Sequence, residues 1–425
     1  MAEPFIRMSQ RRLSAILTDL ATVEPVIALH GPRSVGKSTL LTGFADAHGV
    51  PVLDLDDLAT RDAVKANASL AVGQHTPTCI DEYQHAPEVL DALKSRTNRE
   101  GPLPGTAVLT GSTRQDALPR TAQALTGRFH TVKVWPLSQG EIAGADENLV
   151  EALRADPTDA VAAHPTSATT RADYVDRIVA GGFPLALRRE PGAQRNRWFD
   201  DYVTQSVERD SIELARIRQR QQLRELLHAL AGRTGQLLNL SDAGKTLALS
   251  RSALDEYTKL LEDLFLIERL PAWGTTLRVR AVKTPKVHVI DSGVAARLLR
   301  LTPDKIASLD PTALTEFGNL LKTFVVGELR KQISWLDEQA VVGHWRTHDQ
   351  EEVDYVIEFD DGRILAFEVK ASERFSGTDF KGLRILRDSL GDRFIGGIGF
   401  STGPRSYTHE DRLHVMPVDR LWLPV

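Results

Sequence analysis

A nine-residue segment close to the N-terminus constrains the fold of this chain more than any other feature. Residues 31–39 read Gly-Pro-Arg-Ser-Val-Gly-Lys-Ser-Thr, a complete G-x-x-x-x-G-K-[ST] phosphate-binding loop. Such a loop needs a strand before it and a helix after it. The apolar run at residues 26–29 predicts a short buried strand, and residues 39–45 predict a helix. We therefore expect an α/β nucleotide-binding fold.

The residue types in this loop fit the chemistry of a triphosphate. Gly31 and Gly36 let backbone N–H groups close around phosphate oxygens. Lys37 would reach the β- and γ-phosphates, and the Ser38 hydroxyl would ligate Mg²⁺. A guanine-specific Asn-Lys-x-Asp motif does not occur in the sequence, so ATP is favoured over GTP. The predicted nucleotide-binding residues are Gly31, Pro32, Arg33, Ser34, Val35, Gly36, Lys37, Ser38, Thr39 and Asp81.

Two further short strands would complete the reaction site. A Thr-Cys-Ile-Asp-Glu segment predicts a strand that ends in paired carboxylates. Asp81 would hold Mg²⁺, and Glu82 would polarise the attacking water. A later Ala-Val-Leu-Thr-Gly-Ser segment predicts another strand, whose carboxyl end offers Ser112 or Thr110 to orient that water.

An arginine from a neighbouring subunit could neutralise charge in the transition state. Arg128 is the predicted arginine finger, and Arg114 and Arg120 are competing candidates. An ordinary surface arginine close to a helix end is an equally good interpretation of Arg128. The finger hypothesis requires the chain to act as a homo-oligomer.

Composition narrows the class of protein. Apolar residues make up 42% and charged residues 26% of the 425 residues, as in ordinary globular proteins. The sequence has no apolar run of membrane-spanning length and no secretory signal pattern, and its lone Cys79 cannot form an intramolecular disulfide. We expect a cytoplasmic protein with no membrane partner. The net charge of −5 argues against indiscriminate coating of nucleic acid.

Six short motifs occur in one order along the chain. They are Gly-Pro-Arg-x-x-Gly-Lys-Ser, Ile-Asp-Glu-Tyr-Gln, Leu-Thr-Gly-Ser, Leu-Thr-Gly-Arg, Trp-Pro-Leu-Ser and Gly-Gly-Phe-Pro. This order resembles a family of bacterial and archaeal AAA-type ATPases that carry a C-terminal domain of uncharacterised function. The resemblance implies an AAA+ fold and assembly into a ring or another homo-oligomer. It also implies a C-terminal domain similar to the PD-(D/E)XK nucleases.

The middle of the chain changes composition twice. Residues 144–170 are rich in Ala, Asp, Pro and Thr, which predicts an exposed insertion or linker. Residues 171–215 return to helical periodicity and predict a helical lid on the nucleotide domain.

Residues 216–300 predict a winged-helix domain. Its third helix, at 251–261, would be the recognition helix, and an alternating basic segment would form the wing. The predicted DNA contacts are Arg251, Ser252, Lys259, Arg278, Arg280, Lys283 and Lys286. Alternatively, the winged helix serves as a lid on the ATPase or as an oligomer contact and does not bind DNA, because two acidic residues on its third helix repel phosphate.

Charged residues near the C-terminus indicate a different chemistry. Residues 351–359 and 363–370 predict two strands joined by Asp-Asp-Gly. Glu368 and Lys370 are two apart on a strand and therefore share a face. With Asp354 they match the core of the restriction-endonuclease-like arrangement, in which Asp354 and Glu368 would hold Mg²⁺ and Lys370 would orient the attacking water.

The turn between these strands decides whether the two carboxylates can meet. A two-residue turn would place Asp354 on the wrong face, whereas a three-residue loop with a left-handed Gly362 sets Asp354 directly across from Glu368. We predict the three-residue loop. Glu328, in a predicted helix at 320–332, resembles the helix carboxylate that completes such sites. The alternative interpretation is a polar sheet face with a solvated ion pair.

These observations predict three parts. They are an AAA+ ATPase module at residues 1–215, a winged helix at 216–300 and a nuclease-like α/β domain at 312–425. The function they indicate is ATP hydrolysis by a DNA-interacting protein, in which nucleotide state governs an Mg²⁺-dependent nuclease domain. The alternative is an ATP-driven regulatory switch whose C-terminal domain binds DNA or protein without cleaving it.

Overall fold

The computed structural model describes residues 11–112, 125, 127–210, 220–247, 249–274 and 284–424. These residues form two compact units. The first unit contains the chain up to Leu137, together with Phe183–Arg188 and Asp263–Phe265. The second unit contains Ser138–Gly182, Arg189–Glu262 and the chain from Leu266 onward.

A parallel five-stranded sheet forms the centre of the first unit. Its strand order is β2-β3-β4-β1-β5, and every neighbouring pair is parallel. The strands are β1 Val26–His30, β2 Val52–Asp54, β3 Thr78–Asp81, β4 Ala107–Gly111 and β5 Phe129–Lys133. The helices are α1 Arg12–Leu20, α2 Lys37–His48, α3 Leu58–Ala66, α4 Ala68–Ala71 and α5 Glu88–Glu100, with a further helical turn at Pro184–Leu187. The predicted α/β fold is confirmed.

The sheet topology positions the predicted nucleotide-binding residues. Every residue of β1 and of β4 is buried, as expected for central strands of a parallel sheet that are covered on both faces. The carboxyl ends of parallel strands meet at one edge of the sheet. The loop after β1, Asp81 at the end of β3 and Ser112 after β4 therefore lie along the same edge.

Helices make up much of the second unit. They are α6 Gln139–Ala143, α7 Leu149–Ala155, α8 Pro157–Ala163, α9 Arg171–Ala180, α10 Ala193–Gln205, α11 Arg220–Ala231, α12 Leu240–Leu247, α13 Arg251–Asp263, α14 Ser292–Leu298, α15 Pro303–Ala307, α16 Pro311–Ile333 and α17 Lys381–Leu390. One turn of π-helix, Ser206–Asp210, directly follows α10.

The expectation of an exposed linker at residues 144–170 is wrong. Helices α7 and α8 lie there, and they bury Leu149, Val150 and Leu153 among other residues. The Asp156-Pro157 pair, which the composition suggested was loop, begins α8. The Asp156 carboxylate accepts the Thr158 N–H at 2.8 Å, and proline occupies the first helical position.

A small antiparallel sheet follows helix α11 along the chain. Its strands are β6 Gln236–Leu237, β7 Ile267–Leu270 and β8 Lys286–Val289, in the order β6-β8-β7. Along the chain the elements run α11, β6, α12, α13, β7, β8. The predicted wing, with Arg278, Arg280 and Lys283, lies outside the described residues.

A six-stranded mixed sheet ends the second unit. Its order is β13-β14-β12-β11-β10-β9, in which β9, β10 and β11 form an antiparallel meander and β11, β12 and β14 are parallel. Its strands are β9 Ala340–Arg346, β10 Glu352–Phe359, β11 Ile364–Val369, β12 Phe394–Ser401, β13 Tyr407–Glu410 and β14 Leu413–Pro417. Helix α17 connects β11 to β12, as parallel pairing requires.

The hairpin between β10 and β11 has the predicted three-residue loop. Phe359 N–H donates to Arg363 O at 3.0 Å, and Gly362 N–H donates to Phe359 O at 2.8 Å. Gly362 has φ +78°, the left-handed conformation that glycine adopts most easily. Tyr355 pairs with Phe367, and continuing this register one residue sets Asp354 opposite Glu368. The prediction of this register is confirmed.

The described part of the chain contains no helix that is both long enough and apolar enough to cross a membrane. Residues 171–182 and 189–210, most of the predicted lid, belong to the second unit. The proposed boundaries of the three domains stay predictions.

Candidate nucleotide site and C-terminal carboxylate cluster

The phosphate-binding loop joins β1 to α2 through two left-handed residues. Ser34 has φ +63° and Gly36 has φ +95°, and Gly36 directly precedes the first residue of the helix. Gly31 has no room for a side chain, because a Cβ there would lie 2.1 Å from Val134 O. The backbone N–H groups of the loop and of the first turn of α2 are therefore held in a tight curve, the arrangement that binds phosphate.

Lys37 lies inside this loop. Its side chain is buried, and its ammonium donates to Gly31 O at 3.0 Å and to Pro32 O at 2.8 Å. The neighbouring Ser38 and Thr39 are exposed on the first turn of α2. The positive charge is thus placed within the curve of the loop.

Arg11 supports the loop from outside and was missed in the sequence. Its guanidinium donates to Val35 O at 2.6 Å and to Trp135 O at 2.7 Å, and only 5% of the residue is exposed. These bonds join the loop to the segment after β5. No local pattern signals this role, because the two acceptors are backbone oxygens distant in sequence.

Asp81 faces the first helical turn at the carboxyl end of β3. Its carboxylate accepts hydrogen bonds from the hydroxyls of Thr110 and Ser38. Burial raises the pKa of Asp81 above its usual value despite these donors. A hydroxyl and a carboxylate side by side are hard oxygen ligands suited to Mg²⁺. The residues present therefore fit the predicted metal.

Glu82 occupies a buried and conformationally unusual position. It is 8% exposed and has φ +51°, and its N–H donates to Thr110 Oγ1 at 3.1 Å. Burial alone would raise the pKa of Glu82, but the positive charge of Lys37 and the hydrogen bond from Gln84 lower it below its usual value. Glu82 is therefore ionised at neutral pH and able to accept a proton.

Two residues that follow Glu82 connect it to neighbouring strands. The Gln84 amide donates to the Glu82 carboxylate and to Ser112 Oγ, the latter at 3.1 Å. Tyr83 Oη lies 3.0 Å from His30 Nε2 at the end of β1. Gln84 thus links Ser112 to Glu82, and the water-orienting role of Ser112 stays a prediction. The roles of Gln84, Tyr83 and His30 were not identified from the sequence.

Arg128 lies away from the loop of its own chain. Its guanidinium donates to Thr97 Oγ1 at 3.3 Å and to the Asn98 side chain, near the end of α5. It directly precedes β5, so it lies at the amino-terminal edge of the sheet, opposite the phosphate-binding loop. A finger role in the same subunit is therefore ruled out by position. The competing candidates Arg114 and Arg120 lie outside the described residues.

The predicted nuclease carboxylates lie in the second unit. Asp354 is 1% exposed, and both Lys286 Nζ and Lys322 Nζ lie 2.8 Å from its Oδ1. Its Oδ2 accepts the Val369 N–H at 3.1 Å. Burial alone would raise the pKa of Asp354, but the two ammonium groups lower it well below its usual range. Asp354 is thus an ionised carboxylate with three donors.

Glu368 lies on β11 and Lys370 directly follows the end of that strand, and their charged groups meet on one side as predicted. Lys370 Nζ lies 2.9 Å from Glu368 Oε1 and 3.6 Å from Asp379 Oδ1. Glu368 Oε2 is buried and has no hydrogen-bond partner among the described residues. Burial, aided by the negative charge of Asp354, raises the pKa of Glu368 to about 7. The structure therefore brings Asp354, Glu368 and Lys370 together.

Glu328 does not join them. Its carboxylate accepts the Gln139 N–H at 2.8 Å and lies 2.5 Å from Lys331 Nζ. Lys322 is the α16 residue that reaches Asp354, and positions six apart on a helix point about 120° away from each other. The prediction that Glu328 completes the carboxylate site is therefore corrected.

The C-terminal residues as arranged do not fit Mg²⁺. Two ammonium groups already hold Asp354 Oδ1, where a metal ligand would need a free lone pair. Across the described ranges, no three His, Cys, Asp or Glu side chains are grouped so that they could hold a metal ion. The metal role expected of Asp354 and Glu368 receives no support from this geometry.

The predicted DNA contacts separate into three groups. Lys286 is corrected, because it is 2% exposed and its ammonium is paired with Asp354 inside the second unit. Arg251, Ser252 and Lys259 are exposed on α13, where Arg251 pairs with Asp255 at 3.2 Å. The remaining contacts belong to the wing, outside the described residues. The visible helix face therefore mixes both signs of charge.

Three family descriptions match separate parts of the chain. An AAA domain (AAA_14) matches residues 23–143, which include the phosphate-binding loop, Asp81 and Glu82. Two domains of unknown function match residues 171–305 (DUF8612) and 317–421 (DUF4143). The loop geometry and the first match define the class: the chain carries an AAA-like P-loop ATPase module.

Over most of its length the chain is similar to two mycobacterial proteins. It is 24% identical over 403 residues to the uncharacterized protein Rv2008c of Mycobacterium tuberculosis, which covers 93% of this chain and 81% of that protein. The same values hold for the uncharacterized protein Mb2031c of Mycobacterium bovis.

Solved structures give more distant similarities. The Walker-type ATPase PABY2304 of Pyrococcus abyssi is 16% identical, with 70% of this chain and 99% of that chain covered and a TM-score of 0.43. AMPPCP-bound DnaA from Aquifex aeolicus is 14% identical, with 60% and 87% covered and a TM-score of 0.28.

Proposed function

We propose that this chain binds and hydrolyses ATP and that the nucleotide state regulates its second unit. One observation carries the proposal: Lys37, Ser38, Asp81 and Glu82 converge at the carboxyl edge of the parallel sheet, with Lys37 buried inside the loop. A lysine charge, a hydroxyl–carboxylate pair and an ionised glutamate are the groups that phosphoryl transfer to water requires.

Each residue of the nucleotide site would have its own role in ATP hydrolysis. The loop amides and Lys37 would bind and orient the phosphates, and Ser38 with Asp81 would hold Mg²⁺. Bound Mg²⁺ supplies neutralisation of phosphate charge. Glu82 would accept a hydrogen bond from the attacking water and take its proton, because its carboxylate is ionised. Ser112, which lies beside Gln84, would help to orient that water.

Two substitutions separate binding from chemistry. Lys37→Ala should abolish both ATP binding, measured by calorimetry in magnesium buffer, and turnover. Glu82→Gln should preserve binding and lower turnover by about 10²–10⁴-fold, because only the proton acceptor is lost. Lys65→Ala, an exposed lysine on α3, is the matched control and should keep both. ATP turnover that survives Lys37→Ala would refute the ATPase proposal.

We propose that the active form is a homo-oligomer in which Arg128 acts on a neighbouring subunit. Its position at the opposite edge of the sheet supports a role between subunits. Arg128→Ala and Lys37→Ala should each be inactive alone, and their mixture should regain part of the activity, because Lys37→Ala subunits can supply the arginine. Arg99→Ala is the control, because Arg99 is an exposed arginine at the end of α5, the helix that Arg128 contacts. Full activity of Arg128→Ala alone would contradict this role.

We propose that α11–α13 with β6–β8 form a winged helix that contacts DNA. The element order and the antiparallel order β6-β8-β7 support this topology. Lys259→Glu should weaken binding of duplex DNA, measured by fluorescence anisotropy, and reduce its salt dependence. Lys65→Glu makes the same charge change in the first unit. Equal affinities of both variants would favour a lid or oligomer contact.

We propose that the C-terminal sheet binds a partner and does not cleave DNA. The three donors on Asp354 support this choice between the two functions expected from the sequence. Linear and circular DNA incubated with Mg²⁺ or Mn²⁺, with and without ATP, should remain intact. Metal-dependent cleavage that disappears in Asp354→Ala would show that the domain is a nuclease after all.

A further inference from the structure

We infer that Lys286, Asp354 and Lys322 form an internal ion triad that takes the place of a divalent cation, and that a metal site lies latent beneath Lys322. The inference concerns the second unit and goes beyond ATP hydrolysis, so neither depends on the other. It explains why a sequence pattern typical of a metal-dependent nuclease occurs with a geometry that does not fit a metal.

The triad saturates the oxygen that a metal would need. A carboxylate oxygen has two lone pairs, and Oδ1 of Asp354 accepts from Lys286 and from Lys322, each at 2.8 Å. The other oxygen accepts the Val369 N–H at 3.1 Å. The two lysines come from different elements, Lys286 from β8 and Lys322 from α16. The cationic position is thus occupied by the chain itself.

The charged side chains around the triad also balance one another without a metal ion. The acidic residues around the triad are Asp354, Glu368, Glu352 and Asp379, and Glu352 lies 3.8 Å from each of the two lysines. The basic residues are Lys286, Lys322, Lys370 and Arg346. Lys370 lies 2.9 Å from Glu368 and 3.6 Å from Asp379, and Arg346 lies 3.9 Å from Glu352. Four basic groups therefore face four acidic ones. A divalent ion would add unbalanced charge in a buried site, which is unfavourable.

Removing Lys322 would restore the features of a metal site. Glu368 is 4% exposed and its Oε2 has no hydrogen-bond partner among the described residues. The register places it directly across from Asp354, and side chains across such a pair have Cβ atoms about 5 Å apart. Without the Lys322 ammonium, one lone pair of Asp354 and one oxygen of Glu368 would face a common space. Two carboxylates and water suffice to hold Mg²⁺ or Mn²⁺.

Lys322 is the lysine to remove, because its side chain is 19% exposed whereas that of Lys286 is 2% exposed. When Lys322 is removed, Lys286 still balances the charge of Asp354, and water can enter the space that the Lys322 side chain occupied. Loss of Lys286 would leave a larger buried defect at the small sheet. Lys322→Ala, with Lys322→Gln as the variant that preserves more of the side chain, is therefore the informative change.

Mn²⁺ titration followed by electron paramagnetic resonance tests the inference. All proteins are full length, free of nucleotide and carry Asp81→Asn, so that the phosphate-binding site contributes no metal. With Lys322 intact, we expect no saturable Mn²⁺ site. Lys322→Ala or Lys322→Gln should gain one site per chain that saturates at a Mn²⁺ concentration at least tenfold below the highest one tested on the Lys322-intact protein, and adding Asp354→Asn should remove it. Circular dichroism and thermal melts establish that each variant is folded.

Each outcome of the Mn²⁺ titrations tests a separate part of the inference. A saturable site in the Lys322-intact protein that Asp354→Asn abolishes would overturn the triad as a replacement for metal. Folded Lys322 variants that bind no Mn²⁺ would overturn the latent site. If both variants fail to fold, the Lys322-intact titration still decides whether the triad excludes metal. ATP turnover of the parent chain is assayed separately, and its absence would bear on the ATPase proposal alone.

Discussion

At the scale of single residues, Gly31 shows how closely the loop is fitted to its neighbour. A Cβ at Gly31 would lie 2.1 Å from Val134 O, a backbone atom that cannot move aside easily. We expect Gly31→Ala to distort the loop and to weaken ATP binding by at least tenfold in calorimetry. Gly43→Ala is the matched control, because no described atom lies within 4 Å of its Cβ. In the interior of α2 it should stabilise the protein by about 0.5–1 kcal/mol.

Glu147 gives a residue-scale prediction about pH. It is 1% exposed in the second unit, Ser138 donates to one of its oxygens, and the other has no partner among the described residues. Burial raises its pKa from 4.5 to about 7. An acid whose folded pKa is raised stabilises the fold below its unfolded pKa, and this stability is lost as pH rises from 4.5 to 7.

Glu147→Gln should remove that loss, because a neutral amide has no proton to release. We expect the variant to gain about 1–3 kcal/mol relative to the parent protein between pH 4.5 and pH 8. Urea unfolding at a series of pH values measures the difference. Glu368 also titrates in this pH range, but it is present in both the parent protein and the Glu147→Gln variant. Its contribution to the free energy of unfolding therefore cancels in the difference between them. Parallel curves across this range would show that Glu147 titrates normally.

At the scale of secondary-structure elements, the β10–β11 hairpin depends on one left-handed residue. Gly362 has φ +78°, which costs a residue with a Cβ about 1–2 kcal/mol. Gly362→Ala should destabilise the second unit by that amount in chemical unfolding. Gly362→Asn should lose less, because asparagine tolerates this conformation. Equal losses in the two variants would indicate that another feature of the loop sets the register.

The elements that the sequence predicted correctly are those with a local signature. The loop at residues 31–39 and the turn at Gly362 each depend on neighbours a few residues away, and both formed as expected. Lys286 was misplaced because its partner Asp354 is 68 positions distant. Its basic side chain and its place just after the predicted wing indicated an exposed contact, and neither feature shows which residues pack against it. Glu328 was misassigned because helical phase relative to a distant sheet depends on tertiary packing.

At the scale of the whole molecule, the two units should respond differently to nucleotide. A ligand that binds only the folded first unit stabilises that unit by mass action, by about 2.7 kcal/mol at a hundredfold excess over its dissociation constant. Trp135 belongs to the first unit, and the other five tryptophans belong to the second. We expect Mg-ATP to raise the melting transition of the first unit, which binds the nucleotide, by more than that of the second unit, which receives only the coupling energy.

Calorimetry and a variant that retains only Trp135 would separate the two transitions. Lys37→Ala is the control and should show no nucleotide-dependent shift. Equal shifts of both transitions in the parent protein would show that the units unfold together, and the response could then not be assigned to one of them.

The buried position of Cys79 matters for site-specific labelling of the protein. It is the only cysteine of the chain, it is buried on β3, and burial raises the pKa of its thiol to about 12. Alkylating reagents attack the thiolate, so this sulfur should stay unmodified in the native protein. A cysteine introduced at a chosen exposed position would then be the sole attachment point for a fluorophore or spin label. Reporter groups can therefore test whether ATP changes the conformation of the chain, without first preparing a cysteine-free variant.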